Sequence, residues 1–223
     1  VYEDVDISSL KKLLNLCTQN IRTIMNIQTE IEEDETTDIH DLKSLAFKSG
    51  FLIIEIMMID LKKANLQLEE YYSAVFLVAD SVMESFYEEK NLKNLNLYVV
   101  DILNFIRLLQ RFISSQTYLD ETFLIKSACI SCGLLIHKSY QYLNTNVLMV
   151  QTDLIKECSL TILVSLFSRY PSQRQFILEE LLSHVQDTPI TKSSKKMKLI
   201  DDQQNKYASF FTVALVMMLQ SVS

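Results

Sequence analysis

The sequence predicts an all-α fold, and three features of the 223-residue chain lead to that class. The chain has only 2 Gly and 2 Pro, whereas tight sheet turns and phosphate-binding loops need these residues in number. Its apolar residues recur at intervals of three and four, the period of a helix with one buried face. Short polar segments separate the periodic stretches, so we expect about eight helices joined by turns.

The first four helices are expected in the N-terminal half of the chain. The first has a buried stripe formed by Ile7, Leu10, Leu14, Cys17, Ile21, Ile24 and Met25. A segment rich in carboxylates follows and predicts an acidic loop at about 30–40. The second helix, about 41–66, contains FLIIEIMMIDL, which is apolar on most sides and therefore predicts a central position. The third and fourth are expected at about 69–90 and 95–114.

Four more helices are expected in the C-terminal half. The fifth begins near Asp120, whose carboxylate can cap its first turn. The sixth, about 146–168, ends before Pro171, which cannot continue a helix. The seventh opens with Ser172 as its cap or with Pro171 just outside it, and runs to about Val185. A basic loop at about 187–203 then leads to an apolar eighth helix within YASFFTVALVMMLQSV.

Eight helices joined by polar turns are typical of an α-solenoid of HEAT-type antiparallel helix pairs, which stack to bury faces that no single pair could bury. A compact eight-helix globule is the alternative. We expect residues 1–223 to form one HEAT-repeat segment of a longer solenoid. If no further repeat covered the eighth helix, aggregation or dimerisation is expected through Phe210, Phe211, Leu215 and Met218.

Charge and composition argue against several classes of protein. The formal net charge of -7 argues against a domain that coats nucleic acid over its whole surface, so any such contact would be local. No apolar stretch approaches the roughly 20 residues of a membrane span, so no membrane partner is expected. The four cysteines lie in apolar runs, which is typical of reduced core residues: Cys17, Cys129, Cys132 and Cys158.

No motif predicts catalysis, a cofactor or a metal. The pair in CISC, Cys129 and Cys132, lies inside an apolar helix and has no second pair at zinc-site spacing, so core packing is expected. The three histidines fall in separate segments with no nucleophile motif beside them. Neighbouring carboxylates point about 100° apart on a helix and do not converge on a substrate. We therefore expect a protein that is not an enzyme.

One basic stretch stands out in this acidic chain. Arg169 and Arg174 flank the YPSQ corner. Four lysines then fall within seven residues of the following loop: Lys192, Lys195, Lys196 and Lys198. The ammonium group of a lysine is a point charge that can bind a phosphate group or an acidic protein surface. This stretch is therefore the candidate contact site. The alternatives are a solvated loop that only aids solubility, or a nuclear-localisation signal in KKMK.

The same part of the chain carries a resemblance to a known family. SQRQFILEELLSHVQDTPITKSSKKMKLI and YASFFTVALVMMLQSVS resemble the Nipped-B, or adherin, family of cohesin-loading proteins, and the asparagine-rich sequence looks like a fungal member. The matching positions are Arg174, Gln175, Ile177, Leu178, Glu179, Glu180, Pro189, Thr191, Lys192, Lys198, Leu199, Ala214, Leu215, Val216 and Leu219. The sequence departs from the family at Thr188, where a leucine is expected, and in having lysines where the family mixes in arginines.

The resemblance implies an internal piece of a non-catalytic scaffold of the nucleus and chromosomes. Such proteins bind the kleisin subunit and the ATPase heads of cohesin, stimulate its ATPase and promote its loading. The four loop lysines would contact DNA phosphate or cohesin, with Arg169 and Arg174 as secondary contacts. DNA binding would be weak and not sequence-specific, and the smaller loader subunit would bind outside this chain. The alternative is a protein-only HEAT or armadillo adaptor that binds a peptide or partner helix in its concave groove.

Overall fold

The computed structural model describes residues 6–28, 36–59, 69–89, 92–136, 146–183, 196–198 and 207–222. Their helices are α1 (Ile7–Gln28), α2 (Thr36–Met58), α3 (Glu69–Glu88), α4 (Leu92–Ser115), α5 (Glu121–Ile136), α6 (Asn146–Arg169), α7 (Arg174–Ser183) and α8 (Phe210–Gln220). A single 3-10 turn, Pro171–Gln173, precedes α7. Neighbouring helices pack on one another, as in an α-solenoid, and the predicted all-α class is confirmed. Two strands of three residues each, β1 (Lys196–Lys198) and β2 (Tyr207–Ser209), are the difference from a purely helical prediction.

The chain forms two compact units, Val1–Gln116 and Thr117–Ser223. In the first, α2 packs against α1, α3 and α4, which confirms its predicted central position. The ring of Phe47 on α2 lies 4.8 Å from that of Phe51 and 5.1 Å from that of Phe105 on α4. Phe47 and Phe105 are buried and, with the aliphatic residues around them, belong to the core of the N-terminal unit, whereas Phe51 is half-buried at its edge.

The boundaries of α2 differ from the predicted ones. The helix begins at Thr36, so the last residues of the predicted acidic loop are helical. The helix ends at Met58, eight residues before the predicted end at 66.

In α1 the middle of the predicted stripe is buried, but its first residue, Ile7, is 39% exposed.

Polar side chains also join the helices of the N-terminal unit. Lys43 of α2 is 8% exposed, and its Nζ donates a hydrogen bond to Ser85 Oγ of α3 at 2.5 Å. Burial lowers the pKa of Lys43, although the nearby carboxylates of Glu84 and Glu88 act in the opposite direction. The hydroxyl of Ser44 donates to Asp101 of α4 at 3.1 Å.

In the C-terminal unit α5 packs against α6, α7 and α8, and α6 packs against α7 and α8. The predicted cap of α5 is confirmed, because Asp120 Oδ1 accepts a hydrogen bond from the backbone N–H of Thr122 at 2.8 Å. The helix α6 ends at Arg169, close to its predicted end, and the chain turns at Pro171. The helix α7 begins after the 3-10 turn, at Arg174.

Candidate functional site

The structure describes part of the predicted basic loop. Lys192 and Lys195 lie outside the described residues. The backbone of Lys196 and Lys198 lies in β1, which pairs with β2 in an antiparallel ladder. In its register Lys196 is opposite Ser209 and Lys198 is opposite Tyr207. Sequence reasoning missed this ladder because three-residue strands are shorter than the four to eight residues over which alternation can be recognised.

The ladder is continuous with the helical core of its unit. The strand β2 ends at Ser209, and α8 begins at the next residue. The helix α8 packs on α5 and α6, with Ala214 and Met218 fully buried. The Ser168 hydroxyl of α6 also donates to the Ser221 carbonyl at 3.2 Å. The two lysine positions of β1 are therefore attached to a helix that packs on the core of its unit rather than to an isolated loop.

The burial of α8 corrects the expected association surface. Met218 is fully buried and cannot contribute to it, whereas Phe211 and Leu215 are half-buried. The side chain of Phe210 lies outside the described residues. The exposed apolar side chains of this helix are Val216, Met217 and Leu219.

The other two predicted contact residues lie at the corner between α6 and α7. Arg174 Nε donates to the carbonyl of Phe167 at 2.8 Å, and its Nη2 lies 3.4 Å from the carbonyl of Ser168. The guanidinium also lies 5.5 Å from the centre of the Phe167 ring. Arg174 thus caps the C-terminus of α6, where backbone carbonyls lack partners within the helix and a positive charge is favourable. A basic residue just after a helix stop is the sequence signal for this role.

The rest of the corner is held by side chains from two elements. The Arg169 guanidinium is on an exposed residue and lies 5.5 Å from the centre of the Tyr170 ring. Gln173 is buried and donates to the Glu121 carboxylate at the start of α5, at 3.1 Å. The structure therefore places Arg169 on the surface of a fixed corner, while the fork of Arg174 faces the backbone.

The described residues give little support to catalytic chemistry. Cys132 is fully buried, and burial is the main cause that raises the pKa of its thiol, so the group is protonated at neutral pH. Each of the four cysteines is a thiol rather than half of a disulfide. Among the described residues, no group of three or more His, Cys, Asp or Glu side chains is placed so that it could hold a metal ion. Within the same part of the chain, no helix has both the length and the apolar character needed to span a bilayer.

Comparison with known proteins gives one relationship. No known family model and no solved structure matches the chain. The chain is similar to "Sister chromatid cohesion protein 2" of Saccharomyces cerevisiae, with 26% identity over 220 residues. The similarity covers 98% of this chain, which spans 14% of the length of that relative. The resemblance to the Nipped-B family of cohesin-loading proteins, first seen at the C-terminal end of the sequence, is thereby confirmed over almost the whole chain.

Proposed function

We propose that this chain is a helical scaffold segment of a cohesin-loading protein that acts in sister chromatid cohesion on chromosomes. The observation that carries the proposal is the similarity over 98% of the chain to a protein named for sister chromatid cohesion. Because the similarity is not confined to the basic stretch, it supports a shared helical framework in both compact units. The chain would act by binding and positioning partners rather than by catalysis.

Within this role, the basic loop is the proposed contact with the DNA backbone. Lys192, Lys195, Lys196 and Lys198 supply four positive charges in a chain whose net charge is -7. Attachment of β1 and β2 to α8 supports the proposal, because charges held near a fixed element lose less freedom on binding than charges on an isolated tail. Arg169 would add a fifth contact from its exposed corner.

The proposed protein partner is the cohesin complex, through its kleisin subunit and ATPase heads, with stimulation of the cohesin ATPase as the consequence. The smaller loader subunit would bind elsewhere in the longer protein. Arg174 is the weakest member of the proposed contact set, because its fork already donates to the carbonyl of Phe167.

The DNA contact is tested by a gel-shift titration of the chain with a duplex at about 50 mM and 200 mM salt. Four lysine–phosphate contacts release about four counterions, so the fourfold rise in salt should weaken binding on the order of 100-fold. Changing the four loop lysines to glutamate should abolish binding. The matched control carries the same charge change at four exposed lysines elsewhere: Lys11, Lys12, Lys48 and Lys126.

Binding that survives the loop substitution, or that the control substitution abolishes equally, contradicts the loop as the DNA contact. The second candidate function is a protein-only adaptor, which the acidic net charge of -7 favours. It predicts binding to a peptide or partner helix in the concave groove, with no DNA shift at either salt concentration.

A further inference from the structure

One face of α4 is exposed along most of the length of the helix. Its residues follow intervals of three and four and are Leu97, Val100, Asn104, Arg107, Arg111 and Ser114. The N-terminal half of this face is apolar, with Leu97 49% and Val100 40% exposed. The C-terminal half is basic. We refer to these six residues as the α4 face.

The basic half of the α4 face borders an open groove of about 600 Å³. The groove is lined by Met58 at the end of α2 and by Arg107, Gln110, Arg111, Ser114 and Ser115 of α4. Residues four apart on a helix have Cβ atoms roughly 6 Å apart, so the two arginines stand side by side at the groove. A volume of this size fits a ligand side chain with its neighbours.

The two arginines are not neutralised within the described structure. Neither guanidinium makes a salt bridge to another described residue, whereas Arg22 pairs with Glu70 at 3.1 Å in the same part of the chain. Like charges one helical turn apart repel each other, and an anion between them would relieve the repulsion. The planar donor fork of arginine matches the two oxygens of a carboxylate or phosphoryl group.

The two serine hydroxyls at the groove are not available as donors to an anion. Ser114 Oγ donates to the carbonyl of Gln110 at 2.9 Å, and Ser115 Oγ donates to the carbonyl of Phe112 at 2.8 Å. Each hydroxyl has a single hydrogen, which its own helix already uses. The groove therefore offers an anion the donors of Arg107 and Arg111 and the side-chain amide of Gln110.

We propose that the α4 face binds an acidic segment of a partner protein, with a carboxylate or phosphoryl group between Arg107 and Arg111 and apolar side chains against Leu97 and Val100. A protein ligand fits better than DNA for two reasons. Exposed leucine and valine side chains contribute to peptide binding but have no favourable contact with phosphates. The groove also fits one ligand side chain with its neighbours, whereas a duplex presents a wide row of phosphates to a basic surface.

The spacing on α4 defines the ligand further. Val100 and Arg107 are seven residues apart, about 10 Å along a helix axis. A helical ligand would span this distance in two turns, with apolar residues at one end and acidic residues at the other. This chemistry is independent of the basic loop proposed above, because the α4 face belongs to the N-terminal unit.

The test uses fluorescence anisotropy with the whole chain and labelled helical peptides. The first probe has two leucines one turn apart and two glutamates two turns later; the second has phosphoserines in place of the glutamates, and a third has lysines there. We expect the first two probes to bind and the third to bind at least tenfold more weakly. A preference between the first two identifies the group as a carboxylate or a phosphoryl.

Substitutions on the α4 face test whether the acidic peptides bind at Arg107 and Arg111. Arg107→Glu with Arg111→Glu should weaken binding of the preferred probe at least tenfold, because removing one charge-assisted hydrogen bond alone weakens binding by about a factor of ten. The milder pair Arg107→Gln and Arg111→Gln should have a smaller effect in the same direction. The control, Lys11→Glu with Lys12→Glu on the exposed surface of α1, has the same charge change and should leave binding within about twofold. Circular dichroism confirms that each variant keeps its helix content.

Three results would overturn the proposal. One is that the wild-type chain binds neither acidic probe. Another is that the control lysine pair weakens binding as much as the arginine pair does. The third is that a DNA duplex competes through Arg107 and Arg111 more tightly than the acidic peptides, which would assign the groove to nucleic acid instead.

Discussion

Arg174 gives the sharpest test of the difference between a structural and a contact role in the basic stretch. Its Nε is a charged donor to a helix carbonyl at 2.8 Å, an interaction worth about 1.5–3 kcal/mol. The 3.4 Å contact to Ser168 is too long to add much, and the stacking over Phe167 adds about 0.5 kcal/mol. Arg174→Met keeps the apolar stem, so we expect it to lower the free energy of unfolding by about 2 kcal/mol.

The assay is urea unfolding monitored by hydrogen-exchange mass spectrometry. Peptides from α6 and α7 report on the unfolding of the C-terminal unit separately from that of the N-terminal unit. Arg174→Lys keeps the charge but removes the fork, and we expect about half of the destabilisation. DNA affinity should change little in either variant once the protein is folded. The reasoning is refuted if Arg174→Met unfolds within about 0.5 kcal/mol of the wild type while DNA binding drops.

Two further predictions concern the N-terminal unit. Gly50 lies inside α2, and a Cβ there would be 3.5 Å from Val78 Cγ1, an ordinary contact. Gly50→Ala should therefore stabilise the unit by about 0.5–1 kcal/mol in calorimetry, and a decrease in stability would contradict the packing of α2 on α3. Burial lowers the pKa of Lys43, so the folded chain releases this proton at a lower pH than the unfolded chain does. The cost of burying the Lys43 charge therefore decreases as pH rises from its lowered pKa towards the ordinary value of 10.5. In urea unfolding at about pH 7 and pH 10, the stability of the wild type relative to Lys43→Met should increase with pH, and a decrease would contradict this assignment.

Local sequence signals predicted most of the helical framework. The three-and-four spacing in α1 and the capping aspartate before α5 act within one or two turns, so they can be recognised without knowledge of the fold. The uniformly apolar segment of α2 predicted a central helix, and α2 does pack on three others. The end of α2 at Met58 was not predicted, because the apolar pattern continues beyond the point where the helix stops.

The candidate sites depended more on tertiary structure. A capping role for Arg174 requires its side chain to turn back across the corner at Pro171 to the carbonyl of Phe167, seven residues earlier. The groove beside Arg107 and Arg111 requires Met58 from another helix. In the sequence the two arginines are simply the polar face of a helix, and their lack of described ion partners becomes visible only once the helices are packed.

The most direct test of the central claim is a replacement in yeast. The segment of Sister chromatid cohesion protein 2 that aligns with this chain would be exchanged for the chain itself, and cohesin bound to chromosomes would be measured by chromatin immunoprecipitation. If the chain is a scaffold segment of a cohesin loader, the chimera should restore chromosome-bound cohesin in cells that lack the native protein. A chimera that is expressed at the normal level and remains stable, yet leaves cohesin off the chromosomes, would contradict the account.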